Sequence, residues 1–143
     1  MNKSSITALM SAFGRAFHSE NETSPVFDDY LAKKLLTEEE YNSVAGFILN
    51  GVKFFEPNLS VENKSEKEIL RLLVNKHIAP TPLLRAAWAE RSLKTAAITG
   101  TKQLVILGAG LDTFALREKD FSTKYKIYEV DHPLTAEDKV HRI

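Results

Sequence analysis

Residues 103–131 read QLVILGAGLDTFALREKDFSTKYKIYEVD. The apolar run Leu104, Val105, Ile106, Leu107 stops at Gly108-Ala109-Gly110. A short helical pattern follows, and a second apolar run over residues 125–130 stops at Asp131. Strand, glycine turn, helix, strand and acid, in that order, is the opening unit of an open parallel α/β sheet. The fold class predicted is α/β: a helical N-terminal segment followed by the first two parallel strands of a Rossmann-like sheet.

The same residues carry the chemistry. In open parallel sheets ligands bind beyond the carboxyl ends of the strands. Close backbone approach there requires the missing side chains of Gly108 and Gly110, and glycine also accepts positive φ. An acid about 20 residues further on, at the end of the second strand, can accept hydrogen bonds from both ribose hydroxyls. Asp131 stands 23 residues after Gly108, and Glu129, two before it, is expected on the same side of the strand. The third glycine of the fingerprint G-x-G-x-x-G is absent, with Thr113 in its place. That departure disfavours a pyrophosphate on the following helix and fits a cofactor without phosphate, such as S-adenosylmethionine. A nicotinamide dinucleotide with Asp131 on its ribose is the alternative on the same unit. A bare strand-to-helix turn is the alternative with no ligand at all.

Composition narrows the remaining classes. The 143 residues suffice for one domain with a sizeable core. Nineteen basic residues balance nineteen acidic ones, which leaves no basic footprint for nucleic acid. With no cysteine in the chain, disulfides, thiolate metal sites and a cysteine nucleophile are excluded. No apolar run approaches the ~20 residues of a membrane helix. At the N-terminus Ile6, Leu9, Met10, Phe13 and Phe17 are spaced as on one helical face, unlike the unbroken core of a signal segment. A cytoplasmic protein is the default expectation. His18, His77, His132 and His141 have no metal-ligand spacing, and neither HExxH nor GxSxG occurs. No metal site and no catalytic residue is assigned.

Residues 1–100 read as about five helices. The first is expected over about 4–17. Ser24-Pro25 then predicts a second, with Phe27, Tyr30, Leu31 and Leu35 on its apolar face. Thr37 to Glu40 is a capping box opening a helix with Tyr41, Val44, Phe47 and Ile48 inward. Gly51 is expected to interrupt it and Pro57 to end it. Residues 58–64 are a polar loop. Ser65 to Glu68 is a second capping box, ahead of the stripe Ile69, Leu70, Leu72, Leu73 and Ile78. Pro80 is expected to stop that helix and Thr81-Pro82 to start the next, with Leu84, Ala87, Trp88 and Ala96 as candidate core. Gly100 stands where a helix end favours a left-handed residue. The expected division is a helical lead-in over 1–100 and the first βαβ unit of the cofactor domain over 101–143.

LVILGAGLDTFALR followed by IYEVDHP resembles the leucine carboxyl methyltransferase family, a branch of the class I S-adenosylmethionine-dependent methyltransferases. Phe13 to Arg15, His18, Val26 to Asp29, and Thr81 to Arg85 with Trp88-Ala89-Glu90 extend the likeness upstream, so that it covers the chain from about residue 5. The resemblance implies S-adenosyl-L-methionine as cofactor, and it carries over residue by residue. Gly108 and Gly110, with Ala109 between them, would line the methionine part, and Asp131 would hold the ribose hydroxyls. Arg85 would pair with the cofactor carboxylate, as a planar two-pronged donor can; Arg91 is its competitor in the alignment. Arg15 falls near a second basic position of the family. Asp112 reads as a cap of the short helix. Asp28 and Asp29 either reach the site or simply lie at the start of a helix.

The same resemblance implies an O-methyltransferase acting on a small metabolite or a protein terminus. Nothing in these residues selects the methyl acceptor. A complete family member has a larger sheet and a later acidic motif for the adenine ring. The chain is therefore expected to be the N-terminal portion of a truncated methyltransferase. Its open strand edges and exposed apolar surface predict poor solubility and no methyl transfer alone. An inert fragment or helical interaction module is the non-enzymatic alternative.

Overall fold

The computed structural model describes residues 5–143. The predicted start of the first helix at residue 4 lies outside them. Helix α1 spans Ile6–Asn21 and begins at Ser5, whose hydroxyl accepts from the Ala8 backbone N–H at 3.2 Å. Its Ala12, Phe13, Ala16 and Phe17 are buried, with the Phe13 ring 4.7 Å from Tyr41 and 5.8 Å from Phe17. This helix is the axis of the core. Packed around it are Val44 and Ile48 of α2 (Glu38–Asn50), Leu73 of α4 (Glu66–Leu73), and Val74, Ala79 and Leu83.

Both capping boxes form as predicted. Thr37 accepts from Glu40 N at 3.1 Å while Glu40 accepts from Thr37 N at 2.9 Å. Ser65 and Glu68 exchange the equivalent pair. Gly51 ends α2, and one further turn, α3 (Val52–Phe55), stops before Pro57.

The predicted helix after Ser24-Pro25 does not form. The backbone N–H groups of that stretch are taken by side chains of α1. His18 Nε2 accepts from Val26 N at 3.0 Å, and Ser19 Oγ accepts from Asp29 N at 2.7 Å. Only a 3₁₀ turn at Ala32–Leu35 remains. Phe27 and Leu35 are buried nonetheless, and Tyr30 is exposed. A π-helical turn at Val74–Ile78 extends α4, and the run stops before Pro80 as predicted, with Ala79 separating it from α5 (Pro80–Ile98). Pro80 itself occupies the first position of α5, whose N–H has no helical partner to lose, so the new helix begins just ahead of Thr81-Pro82. Leu84 and Trp88, expected in the core, are exposed along α5, as is Phe47 on α2; Leu83 is the buried residue of α5.

After Gly100, at positive φ as expected, β1 (Gln103–Leu107) and β2 (Lys126–Val130) pair in parallel. Two short helices connect them, α6 (Phe114–Arg117) and α7 (Lys119–Lys124), and α8 (Pro133–Arg142) follows. Gln103 pairs with Lys126 and Leu107 with Val130. One sheet face, with Ile106 and Glu129 opposite each other, meets α8 through a Glu129–Lys139 ion pair of 2.5 Å. On the other face Val105, Leu107, Tyr128 and Val130 are exposed, the apolar surface the sequence leads one to expect. Arg142 ties α8 back to the helical part. It donates to both Glu40 carboxylate oxygens at 2.7 Å and to the Leu35 carbonyl at 2.8 Å.

Candidate cofactor site at the glycine turn

The turn after β1 folds over the end of β2. Gly108 N and Ala109 N both donate to the Val130 carbonyl, at 2.8 and 3.2 Å. To do so the chain takes φ +64° at Gly108 and +51° at Gly110, a region that penalises any Cβ. The two glycines differ in their surroundings. A Cβ on Gly108 would meet nothing within 4 Å, whereas one on Gly110 would come within 3.3 Å of Ala8 Cβ on α1. Gly108 opens outward; Gly110 is where α1 rests on the turn. Ala109 between them is buried.

Asp131 closes the arrangement. One carboxylate oxygen accepts from Gly110 N and the other from His132 N, each at 2.6 Å. An ionised carboxylate has about four acceptor positions, so each oxygen keeps a lone pair free for another donor. Two hydroxyls presented side by side meet two oxygens already held in place. Glu129 is bound to Lys139, and Asp131 is the one of the two acids that bonds the glycine turn.

Behind the turn lies a buried cluster of charges. Arg15 of α1 donates through Nε to Asp29 at 2.8 Å and through Nη2 to the Leu111 carbonyl at 2.7 Å; Nη1 donates to Ser11. The other Asp29 oxygen accepts from Thr113 Oγ1 at 2.7 Å and lies 3.2 Å from Arg117 Nε. Arg117 also donates to Thr113 Oγ1 at 2.9 Å, pairs with Glu90 of α5, and covers the Phe27 ring at 4.9 Å. Two cations thus meet two carboxylates away from water. Burial pushes the Glu90 carboxyl above its ordinary range, with Arg117 pulling it back.

This cluster accounts for the departure from the glycine fingerprint. Thr113, in place of the third glycine, is almost wholly buried because its hydroxyl bridges Asp29 and Arg117. Asp112, expected to cap the short helix, stands one residue ahead of the cap position, Thr113, and accepts from Phe114 N at 2.8 Å in a local turn. Asp28 is exposed.

The structure brings Gly108, Ala109, Gly110 and Asp131 together. Arg85 lies apart from them in its bonding: it is exposed on α5 and forms no hydrogen bond or ion pair with any described residue. Arg91 is exposed on the same helix. Arg15 is a buried strut under the turn. Sequence reading missed the roles of Asp29, Glu90 and Arg117. Two adjacent aspartates after a proline look like a helix start, and only the long-range partners set Asp29 apart. The one signal available was a threonine where a glycine was expected. Among the described residues no group of histidines and carboxylates is arranged to hold a metal, and no helix is long and apolar enough to cross a membrane.

Known proteins carry the same pattern. The model of the leucine carboxyl methyltransferase family matches residues 8–143. A protein of Bacillus subtilis (strain 168), provisionally named the S-adenosyl-L-methionine-dependent methyltransferase YktD, is 40% identical over 144 residues. The alignment covers 99% of this chain and 47% of that protein, so the chain spans about half the length of its relative. With the glycine turn, the paired strands and the terminal acid all inside the matched region, this chain belongs to the leucine carboxyl methyltransferase family.

Proposed function

We propose that this chain supplies the cofactor-binding unit of an S-adenosylmethionine-dependent O-methyltransferase, with residues 1–100 as helical lead-in and 101–143 as the first βαβ unit. The observation that carries the reading is the glycine turn bonded to the end of β2, Gly108 through the Val130 carbonyl and Gly110 through the Asp131 carboxylate. A left-handed glycine opens to free space beside a carboxylate whose two oxygens are held by backbone N–H groups yet keep acceptor capacity. Family membership implies S-adenosyl-L-methionine as the cofactor.

In this reading the backbone of Gly108, Ala109 and Gly110 lies against the methionine part, and Asp131 accepts from both ribose hydroxyls. Arg85, whose guanidinium is not committed to any described residue, pairs with the cofactor carboxylate. Thr113 is compatible with this assignment because no phosphate has to be seated over the first turn of the following helix. The bound cofactor supplies a methyl group already activated on a sulfonium. What these residues contribute is the placement of that group, and placement alone can carry much of a transfer reaction. No residue of this chain is assigned as a catalytic base. The acceptor class proposed is a carboxylate or hydroxyl of a small metabolite or a protein terminus, in a cytoplasmic setting.

Isothermal titration tests the proposal. S-adenosylmethionine is expected to bind, and Arg85→Gln and Asp131→Asn are each expected to weaken binding about tenfold, the scale of one charge-assisted hydrogen bond. Tight NAD binding without S-adenosylmethionine binding would overturn it.

A further inference from the structure

Asp29 is 1% exposed, carries a charge, and touches nothing on the open side of the glycine turn. Its carboxylate reaches that turn through two intermediaries. One oxygen holds Arg15, whose Nη2 grips the Leu111 carbonyl, one residue beyond Gly110. The other holds the Thr113 hydroxyl, two residues further on. Both ends of the short segment from Leu111 to Thr113 therefore hang from one carboxylate. The backbone of Asp29 is fixed in turn, its N–H donating to Ser19 Oγ of α1 at 2.7 Å.

We propose that Asp29 is a positioning residue for the cofactor site, fixing the height of the glycine turn over the strand ends by suspending Leu111 and Thr113. This rests on the reading of Gly108, Gly110 and Asp131 as a cofactor site. The reasoning is geometric. Gly110 N donates to Asp131, so the turn and the acid move together. Leu111 follows directly, and a shift in its carbonyl is transmitted to the Gly110 amide one peptide away. The amides of Gly108, Ala109 and Gly110 tie the turn to the end of β2, while the open space beside Gly108 leaves its exposed side without support. Leu111 and Thr113, where the chain leaves the turn, are held from below. In Asp29 a single group sets two points of a loop, and a ligand contacting the loop by backbone alone depends on that setting.

A purely structural role makes a different prediction: loss of Asp29 would lower global stability and leave the local geometry of the folded state unchanged. Asp29→Asn keeps the shape and removes the charge. Thr113→Val removes the hydroxyl at equal size, and Thr113→Ser restores it. The 143-residue chain and these variants are compared by amide hydrogen exchange without ligand and by titration with S-adenosylmethionine. Expected for Asp29→Asn and Thr113→Val is faster exchange confined to residues 108–113, with α2 unchanged, and a dissociation constant raised about tenfold, the scale of one lost charged hydrogen bond. Thr113→Ser is expected to restore both. Lowered melting temperatures with unchanged exchange at 108–113 and unchanged affinity would overturn the proposal. Absence of cofactor binding by the parent chain would refute the cofactor reading, while the exchange comparison would still decide whether Asp29 sets the turn.

Discussion

The Arg15 guanidinium donates to the Leu111 carbonyl at 2.7 Å, joining residues 96 positions apart. It is the direct bond between the first helix and the loop that leaves the glycine turn. Its other fork atoms are engaged by Asp29 and Ser11, so the residue is a planar bracket rather than a simple point charge. Arg15→Ala is expected to destabilise the fold by about 3–5 kcal/mol, because Asp29 then loses one of its two buried cations. Arg15→Lys is expected to cost less while still losing the Leu111 contact. Chemical denaturation of the three proteins measures both differences.

Gly108 and Gly110 separate backbone strain from ligand clearance. Alanine at either position costs about 1–2 kcal/mol for its left-handed conformation. At Gly110 the new methyl also presses on Ala8 at 3.3 Å, so Gly110→Ala is expected to melt lower than Gly108→Ala. Gly108→Ala meets only open space within the protein. Its methyl stands where the cofactor is proposed to lie, so it is expected to lose cofactor binding out of proportion to its modest stability loss. Melting curves and titrations on the two variants give opposite rank orders if this holds.

Thr113→Gly restores the third glycine of the dinucleotide fingerprint. If the threonine merely blocked a dinucleotide, the variant would acquire NAD affinity. The buried hydroxyl bridge predicts otherwise: no NAD binding, and a loss of about 1–3 kcal/mol as the Asp29 oxygen and Arg117 forfeit their partner. Titration with NAD, alongside thermal melting, distinguishes the two outcomes.

Acid has a defined target where α8 is tied to α2. The hydrogen bonds from Arg142 hold the Glu40 carboxyl down at about 2, against an ordinary value of 4.5, even though partial burial opposes the shift. A folded-state value below the unfolded one means that the group contributes stability fully above about pH 4.5. That contribution is lost as the pH falls through about 2. Unfolding free energy measured from pH 6 down to pH 2.5 is expected to fall through this window. In Arg142→Met the part of the slope due to Glu40 is expected to flatten, because the carboxyl then keeps only its bonds at Thr37 as a source of depression.

The local signals in the sequence were legible where local physics decides. Two capping boxes form atom for atom, because a threonine or serine and a glutamate three residues on complete each other's bonds. The strand–glycine–acid stretch places its two strands in parallel for the same reason: apolar runs and left-handed glycines leave few other choices. The stretch after Ser24 was illegible because helix competes there with side chains of α1 that take its N–H groups. The competitors, His18 and Ser19, lie close by in sequence, but no capping or periodic pattern marks them as partners of these N–H groups. Leu84 and Trp88 were misplaced because a helix with apolar residues on several faces does not say which face is covered. At the site, the outward parts were readable and the inward parts were not. Gly108 and Asp131 belong to a recurrent motif, whereas Asp29, Glu90 and Arg117 owe their roles to partners from distant parts of the chain.

The charge cluster also limits how this unit can be moved between proteins. Its anions come from residues 29 and 90, and its second cation and hydroxyl come from 117 and 113. A βαβ unit excised near residue 100 and grafted behind a different leader would carry Arg117 and Thr113 into a site with neither acceptor. The glycine motif is portable as a string of letters. In this protein its working geometry is not, because the acceptors that set it come from outside the unit: Asp29 lies far upstream in sequence, and Glu90 lies on the helix that precedes the first strand.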